Sequence, residues 1–222
     1  DSSNAGGSAA GAVVNIASVT GGANDLTLRS RNGQTTVSGD ATGIGALTLH
    51  DDNAGSTGTM RFEGNVGAGS LTTQPRGYDV AFPAIVGAAG TVSVGGLTEF
   101  LNTGNVSLGD VAGDVIEFSG GVETATNATN PSGTSLAGTL RSVGGDIVTG
   151  AVTLDADASL DNGGNATTIA SINGATNNLS VAAGTGAGTT TVSGPVTNLG
   201  SATGGAALTV AAGVTGQVWF QD

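Results

Sequence analysis

The chain has 222 residues, of which 41 are Gly, 32 Ala, 31 Thr, 19 Ser and 16 Asn, so five small residue types fill 139 positions. It contains no Cys and no Lys, which excludes disulfide scaffolds, thiolate metal sites, Cys nucleophiles, Schiff bases and P-loops. A formal charge of −12 leaves five scattered cations, Arg29, Arg31, Arg61, Arg76 and Arg141, and nucleic-acid binding needs a basic footprint that these do not form.

Residues 1–12 carry no strand signature and are expected to be a flexible or inter-subunit segment, followed by one β-rich unit over 13–222. Within that unit, apolar residues two apart flank a hydroxyl residue: Leu26-Thr27-Leu28, Leu47-Thr48-Leu49, Leu71-Thr72-Thr73, Val92-Ser93-Val94 and Val106-Ser107-Leu108. The same signature returns at Val152-Thr153-Leu154, Leu179-Ser180-Val181 and Leu208-Thr209-Val210. Alternation of this kind places the apolar pair on one face of a strand and the hydroxyl on the other. A second signature falls between these copies, at Thr36-Val37-Ser38-Gly39, Met60-Arg61-Phe62-Glu63-Gly64, Val80-Ala81-Phe82, Ile116-Glu117-Phe118-Ser119-Gly120, Thr191-Val192-Ser193-Gly194 and Val218-Trp219-Phe220. In the first half the strands start at residues 26, 36, 47, 60, 71, 80, 92, 106 and 116, each closed by Gly, Asn or Asp, which leaves no room for helices. Residues 123–146, with Thr126-Asn127-Ala128-Thr129-Asn130-Pro131, break the rhythm and are expected to protrude as a loop.

A longer repeat underlies the short one. Ile16-Ala17-Ser18-Val19 matches Ile169-Ala170-Ser171-Ile172, and Asn24-Asp25-Leu26-Thr27-Leu28 matches Asn177-Asn178-Leu179-Ser180-Val181. The offset of 153 grows to 155 at Val37-Ser38-Gly39 against Val192-Ser193-Gly194, and to 161 at Ala46-Leu47-Thr48-Leu49 against Ala207-Leu208-Thr209-Val210. The added residues are expected in turns while the strands keep their pattern, as in a repeat array.

Two strands per ~22 residues fit either a sandwich of hairpins or a parallel β-solenoid. Strands of three to five residues, few aromatics and small inward side chains favour the solenoid, with Gly and Asn at its corners. The expected fold is all-β, a single parallel β-helix rod of about ten short coils, roughly 50 Å long at ~4.8 Å per coil. The Leu-Thr-Leu units and the Phe-Ser-Gly-Gly-Val unit, Phe118 to Val122, resemble the degenerate repeats of large bacterial surface proteins, the filamentous-haemagglutinin-like and autotransporter-type β-solenoids. That resemblance implies secretion, an elongated rod, and work as an adhesin, stalk or matrix fibre.

Candidate chemistry is sparse. Asp110 and Asp114, in Gly-Asp-Val-Ala-Gly-Asp, and Asp155, Asp157 and Asp161 are the turn carboxylates a Ca²⁺ ion would choose. The Gly-Gly-x-Gly-x-Asp nonapeptide of calcium-binding β-rolls is absent, so solvated carboxylates that keep a rod soluble are the plainer reading, and no cofactor is expected. His50, Asp51 and Asp52 are the catalytic candidates, but a polysaccharide lyase or hydrolase also needs aromatic platforms and basic residues, and this chain has seven aromatics and five Arg. Enzymatic activity is therefore not expected. The sequons at Asn105, Asn127, Asn165 and Asn178 are as many as chance supplies.

The ends are more informative. Neither Val13–Val19 nor Val218-Trp219-Phe220-Gln221-Asp222 carries a charged or helical cap, and the lone Trp is at the very end. Uncapped ladder ends attract further strands. Val14, Ile16, Val19, Val218, Trp219 and Phe220 are therefore the expected assembly interface, joining copies head to tail. An excised piece of a longer chain would look the same, because the sequence starts at Asp1 with no visible signal peptide. No apolar run approaches the ~20 residues of a spanning helix, so membrane insertion is not expected. The acidic, Lys-free composition points to a secreted protein at a bacterial surface or matrix. The expected partners are other copies of the chain and, in an alternative reading, cell-surface glycans.

Overall fold

The computed structural model describes residues 11–30, 32–51, 55–182, 188–200, 207–211 and 216–221. Every pairing between its strands is parallel, and the chain winds as a solenoid with three faces per coil. The first coil shows the plan: Val14–Ile16 on the first face, Val19–Thr20 on the second and Leu26–Arg29 on the third. Continuous registers stack each face. On the first, Val14, Thr35, Met60, Val80, Val106, Thr134, Val152, Ile172 and Val196 lie one above another, nine tiers in all. The second face runs from Val19 through Ala41, Val66, Val92, Ile116, Leu140, Leu160 and Val181 to Val210. The third ends on Thr167, Thr190 and Val218. At ~4.8 Å per tier the rod is about 43 Å long.

The sequence signatures number two per ~22 residues and leave the strands per coil open; the fold has three per coil, and the reason one escapes the signatures is local. Several strands are only two residues long, such as Val19–Thr20, Thr98–Glu99 and Val122–Glu123, and each carries a single inward side chain. A strand with one inward residue cannot display an apolar–hydroxyl–apolar signature. Other strands turn a corner without a break, such as Ala41–His50 and Ile147–Asp161, and the faces merge into one 21-stranded sheet. Residues 123–146 are likewise not one loop. Gly133–Arg141 is a nine-residue strand on the first and second faces, paired to both neighbouring coils, and only the turn between Glu123 and Gly133 departs from the stack. The Thr/Asn run made it look irregular, while Leu136 and Leu140 are in the core. The expected segment 1–12 falls almost wholly outside the described residues, as do 183–187 and 201–206, where much of the added length of the second repeat lies.

The long repeat has an unexpected geometry. Ile16 is on the first face, whereas its match Ile169 is on the third; Val19 is on the second and Ile172 on the first. Leu26 and Leu28 are on the third face, and Leu179 and Leu208 on the second. Each block is thus reused one face round. The repeating unit is a strand with its turn, which any face accepts because all three present the same inward, apolar requirement.

The core fills the coil axis. Phe62 stacks on Phe82 in the next tier, centroids 5.1 Å apart, and Phe100 meets Phe118 edge-on at 5.9 Å. Four of the five Phe are thereby fully buried despite the aromatic-poor composition. Gly allows coils to approach: a Cβ on Gly145 would lie 2.0 Å from the carbonyl oxygen of Gly120 one coil away. At Gly109 the backbone is left-handed, with φ of +78°, a conformation that side chains disfavour.

Candidate functional site

The carboxylates include the candidate Ca²⁺ ligands and two of the catalytic candidates, Asp51 and Asp52. Asp114 is fully buried at the corner between the first and second faces of its coil. Its Oδ1 accepts the N–H of Gly90 one coil away at 2.9 Å, and its Oδ2 accepts those of Asp110 at 2.8 Å and Val111 at 3.2 Å. Asp110 accepts the Gly87 N–H at 2.9 Å. Asp157 accepts the backbone N–H of Asn178 at 2.8 Å and its side-chain amide at 3.2 Å. Asp25, Asp40, Asp79 and Asp146 accept the backbone N–H groups of Ala46, Asn65, Asn105 and Ala166, each on a neighbouring coil. These Asp residues are staples between coils, placed where the chain turns and ladder bonds lapse. Asp161 takes part in an ion ladder on the second face, with Arg141 Nε 3.0 Å from it and Arg141 Nη1 3.9 Å from Glu117. Among the described residues no three His, Cys, Asp or Glu side chains gather to hold a metal ion.

The catalytic candidates are separated by the strand pleat. His50 aligns with Arg29 on the third face, whereas the neighbouring Asp51 is fully buried and accepts a hydrogen bond from Ser56 at 2.5 Å. Asp52 lies outside the described residues. Asp51 belongs to a set of buried polar residues at one corner that composition does not reveal. At the corner between the third and first faces, Ser30, Asp51, Thr73, Asn102 and Thr124 are all buried in five successive coils. Ser30 donates to the Gly33 carbonyl at 2.6 Å, Thr73 accepts the Leu101 N–H at 2.7 Å, and Asn102 donates to the Tyr78 carbonyl at 3.1 Å. The Tyr78 hydroxyl donates to the Leu49 carbonyl at 2.8 Å and accepts the Gln74 N–H at 2.8 Å. Burial pushes the Tyr78 phenol up to about 12, with the Asp51 carboxylate adding to the shift. The available sequence signal is a polar residue two places after a buried apolar residue of the third face, Leu28, Leu49, Leu71, Phe100 and Val122 in turn.

The outer faces are shallow. A hollow of about 440 Å³ lies on the first face and is floored by Ser107, Ser135 and Thr153, with Asn105, Ser132 and Asp155 at its rim. It offers hydroxyls and one carboxylate, but no aromatic platform or base. Among the described residues no helix is long and apolar enough to cross a membrane.

The terminal tiers differ from all those between them. Phe62, inside the rod, is 1% exposed, whereas Phe220 in the last tier is 43% exposed although its partner Val192 faces the axis. Leu208 and Val210 are 36% and 48% exposed, against 2% and 1% for Leu179 and Val181 directly beneath them. Val218 is half-buried on the same end, and Trp219 faces outward, its indole N–H donating to Gln217 at 3.0 Å. At the opposite end Val14, Ile16 and Val19 are half-buried, less covered than the inward residues one coil further in. Five of the six expected interface residues, all but Trp219, therefore lie on inward positions of end tiers. Leu208 and Val210 join them; the repeat alignment with the internal Leu47 and Leu49 was the clue to their place. No family model matches the chain, and no curated protein and no solved structure matches it either.

Proposed function

We propose that this chain is a structural, non-enzymatic unit of a bacterial extracellular fibre or surface adhesin, a stiff rod whose terminal coils stack head to tail on other copies. One observation carries the reading: the last tier presents the cross-section of an internal tier, with Leu208, Val210 and Phe220 turned to the axis and left uncovered. Apolar side chains and strand edges in that state are satisfied by another tier of the same kind. The parallel ladders and Asp staples give the rod its stiffness, and the acidic, hydroxyl-rich sides keep it in solution. Secretion and the bacterial setting rest on composition and on the resemblance of the Leu-Thr-Leu and Phe-Ser-Gly-Gly-Val units.

A second reading, a glycan- or surface-binding module, draws on the hydroxyl-floored hollow around Ser107, Ser135 and Thr153. Electron microscopy of the purified 222-residue chain at micromolar concentration separates the two. Unbranched fibres one rod wide are the expected result. Discrete rods about 43 Å long at every concentration overturn the stacking reading.

A further inference from the structure

We infer that the joint has a single register, in which the first face of one copy continues the first face of the next and the partner's Asn15 lands directly above Thr197. The inference rests on the stacking proposed above and specifies it.

The argument comes from the winding of the chain. Each coil climbs from the first face through the second to the third, so every strand stands about a third of a ~4.8 Å tier above the one before it. At the end of the rod, Val218–Phe220 on the third face is highest and Val196–Thr197 on the first is lowest. At the beginning, Val14–Ile16 on the first face is lowest and Leu26–Arg29 on the third is highest. Among the described strands, both ends therefore carry a ledge one tier high at the corner between the third and first faces. The ledges fit when first face meets first face, and all three ladders then continue without a gap. Seating the first face on the second leaves one face a whole strand short, and seating it on the third leaves two short. A missing strand leaves backbone donors and acceptors unpaired against an apolar joint, which outweighs any side-chain preference among these small residues.

Continuing the observed registers places the partner's Val14 over Val196 and the partner's Val19 over Val210. The partner's third-face strand Leu26–Arg29 then covers Phe220. Among the described residues, the inward side chains that meet across this joint axis are apolar, and the outward positions Asn15 and Thr197 come into the spacing of adjacent parallel strands.

Cysteine pairing tests the register, because the native chain has no Cys. Three double variants are compared under mild oxidation: Asn15→Cys with Thr197→Cys, Asn15→Cys with Thr209→Cys, and Asn15→Cys with Trp219→Cys. Position 15 and each partner position lie at opposite ends of one rod, about 40 Å apart, so any such disulfide joins two copies. The first pair is expected to give a ladder of covalent multimers at least ten times faster than the other two. Mass spectrometry of the linked peptides must identify the 15–197 bond. Faster coupling through 209 or 219, with fibres still visible, overturns the register and leaves stacking intact. No ladder from any pair, together with single rods of the unmodified chain in the microscope, removes the stacking reading and this inference with it.

Discussion

Replacing Val210 by Asp separates assembly from folding. Val210 is 48% exposed in the isolated rod, at an inward position of the last tier. Sealing it under the partner's Val19 removes roughly half of a valine's apolar surface from water, about 1 kcal/mol. An aspartate there would lose that gain and would be desolvated against apolar neighbours with no cation in reach, a cost of several kcal/mol. A combined penalty of about 4 kcal/mol weakens each joint roughly 1,000-fold. In the single rod the carboxylate keeps contact with water and loses only part of the valine's packing, about 0.5–1 kcal/mol, so Tm should fall by no more than about 3 °C. Sedimentation velocity over a concentration series reads the joint, and thermal unfolding at low concentration reads the fold. Thr209→Asp is the control, since it adds the same charge to the same strand on the solvent side. Fibres from Val210→Asp at an unchanged critical concentration, or their loss with Thr209→Asp alone, would refute the apolar joint.

The remaining expectations concern the polar skeleton. Asp114→Ala strips acceptors from three backbone N–H groups at a buried corner and should cost about 3 kcal/mol, a Tm drop on the order of 10 °C, with Asp114→Asn recovering part of it. Tyr78 is the single Tyr, so ultraviolet titration reports it alone. Its phenol is held near 12 in the fold against about 10 when unfolded, so the folded chain keeps a proton that the unfolded chain sheds. Stability is therefore intact below pH 10 and falls as pH rises from about 10 to 12, by about 2–3 kcal/mol in all; Tyr78→Phe should lack that portion of the slope. Calcium or EDTA should leave Tm within about 1 °C, because Asp110, Asp114 and Asp157 already accept backbone N–H groups. A site filled at ~100 times its Kd would add about 2.7 kcal/mol and be plain in the same scan.

What the sequence reveals here depends on how many side chains a feature needs in order to be seen. Strands such as Leu47–Leu49 or Val152–Leu154 show two inward residues around a hydroxyl, and the pattern identifies both the strand and its inner face. Val19–Thr20 and Val196–Thr197 show one inward residue each and vanish into the Gly/Ala background, which hides the third strand of each coil. Gly133–Arg141 is concealed differently: the preceding Thr/Asn turn is so polar that a nine-residue strand after it reads as part of a loop. The carboxylates are legible as turn residues but not as staples, because their acceptors serve N–H groups 20 to 26 positions away, a separation set by coil lengths that vary with every insertion. Which tier is outermost is not legible in any one strand, because Leu208-Thr209-Val210 carries the same signature as the internal Leu47-Thr48-Leu49.

Under the proposed stacking, charge would decide whether rods grow along one axis or clump. Each carries −12 over about 43 Å, and among the described residues none of the inward ones at either end is ionisable. In the proposed fibre, attraction would therefore be confined to the apolar, ladder-bearing ends, while the sides would repel. At ~0.01 M salt the Debye length of about 30 Å lets each copy feel most of its neighbour's charge, and at ~0.15 M it shrinks to about 8 Å. Raising salt across that range should lower the critical concentration for fibres and lengthen them, with no change in their width. An ionic joint would behave in the opposite way, weakening as its charges are screened. Assembly that declines with added salt would place the attraction on the acidic sides or on Arg141 and its neighbours, and the uncovered Leu208, Val210 and Phe220 would need another occupant.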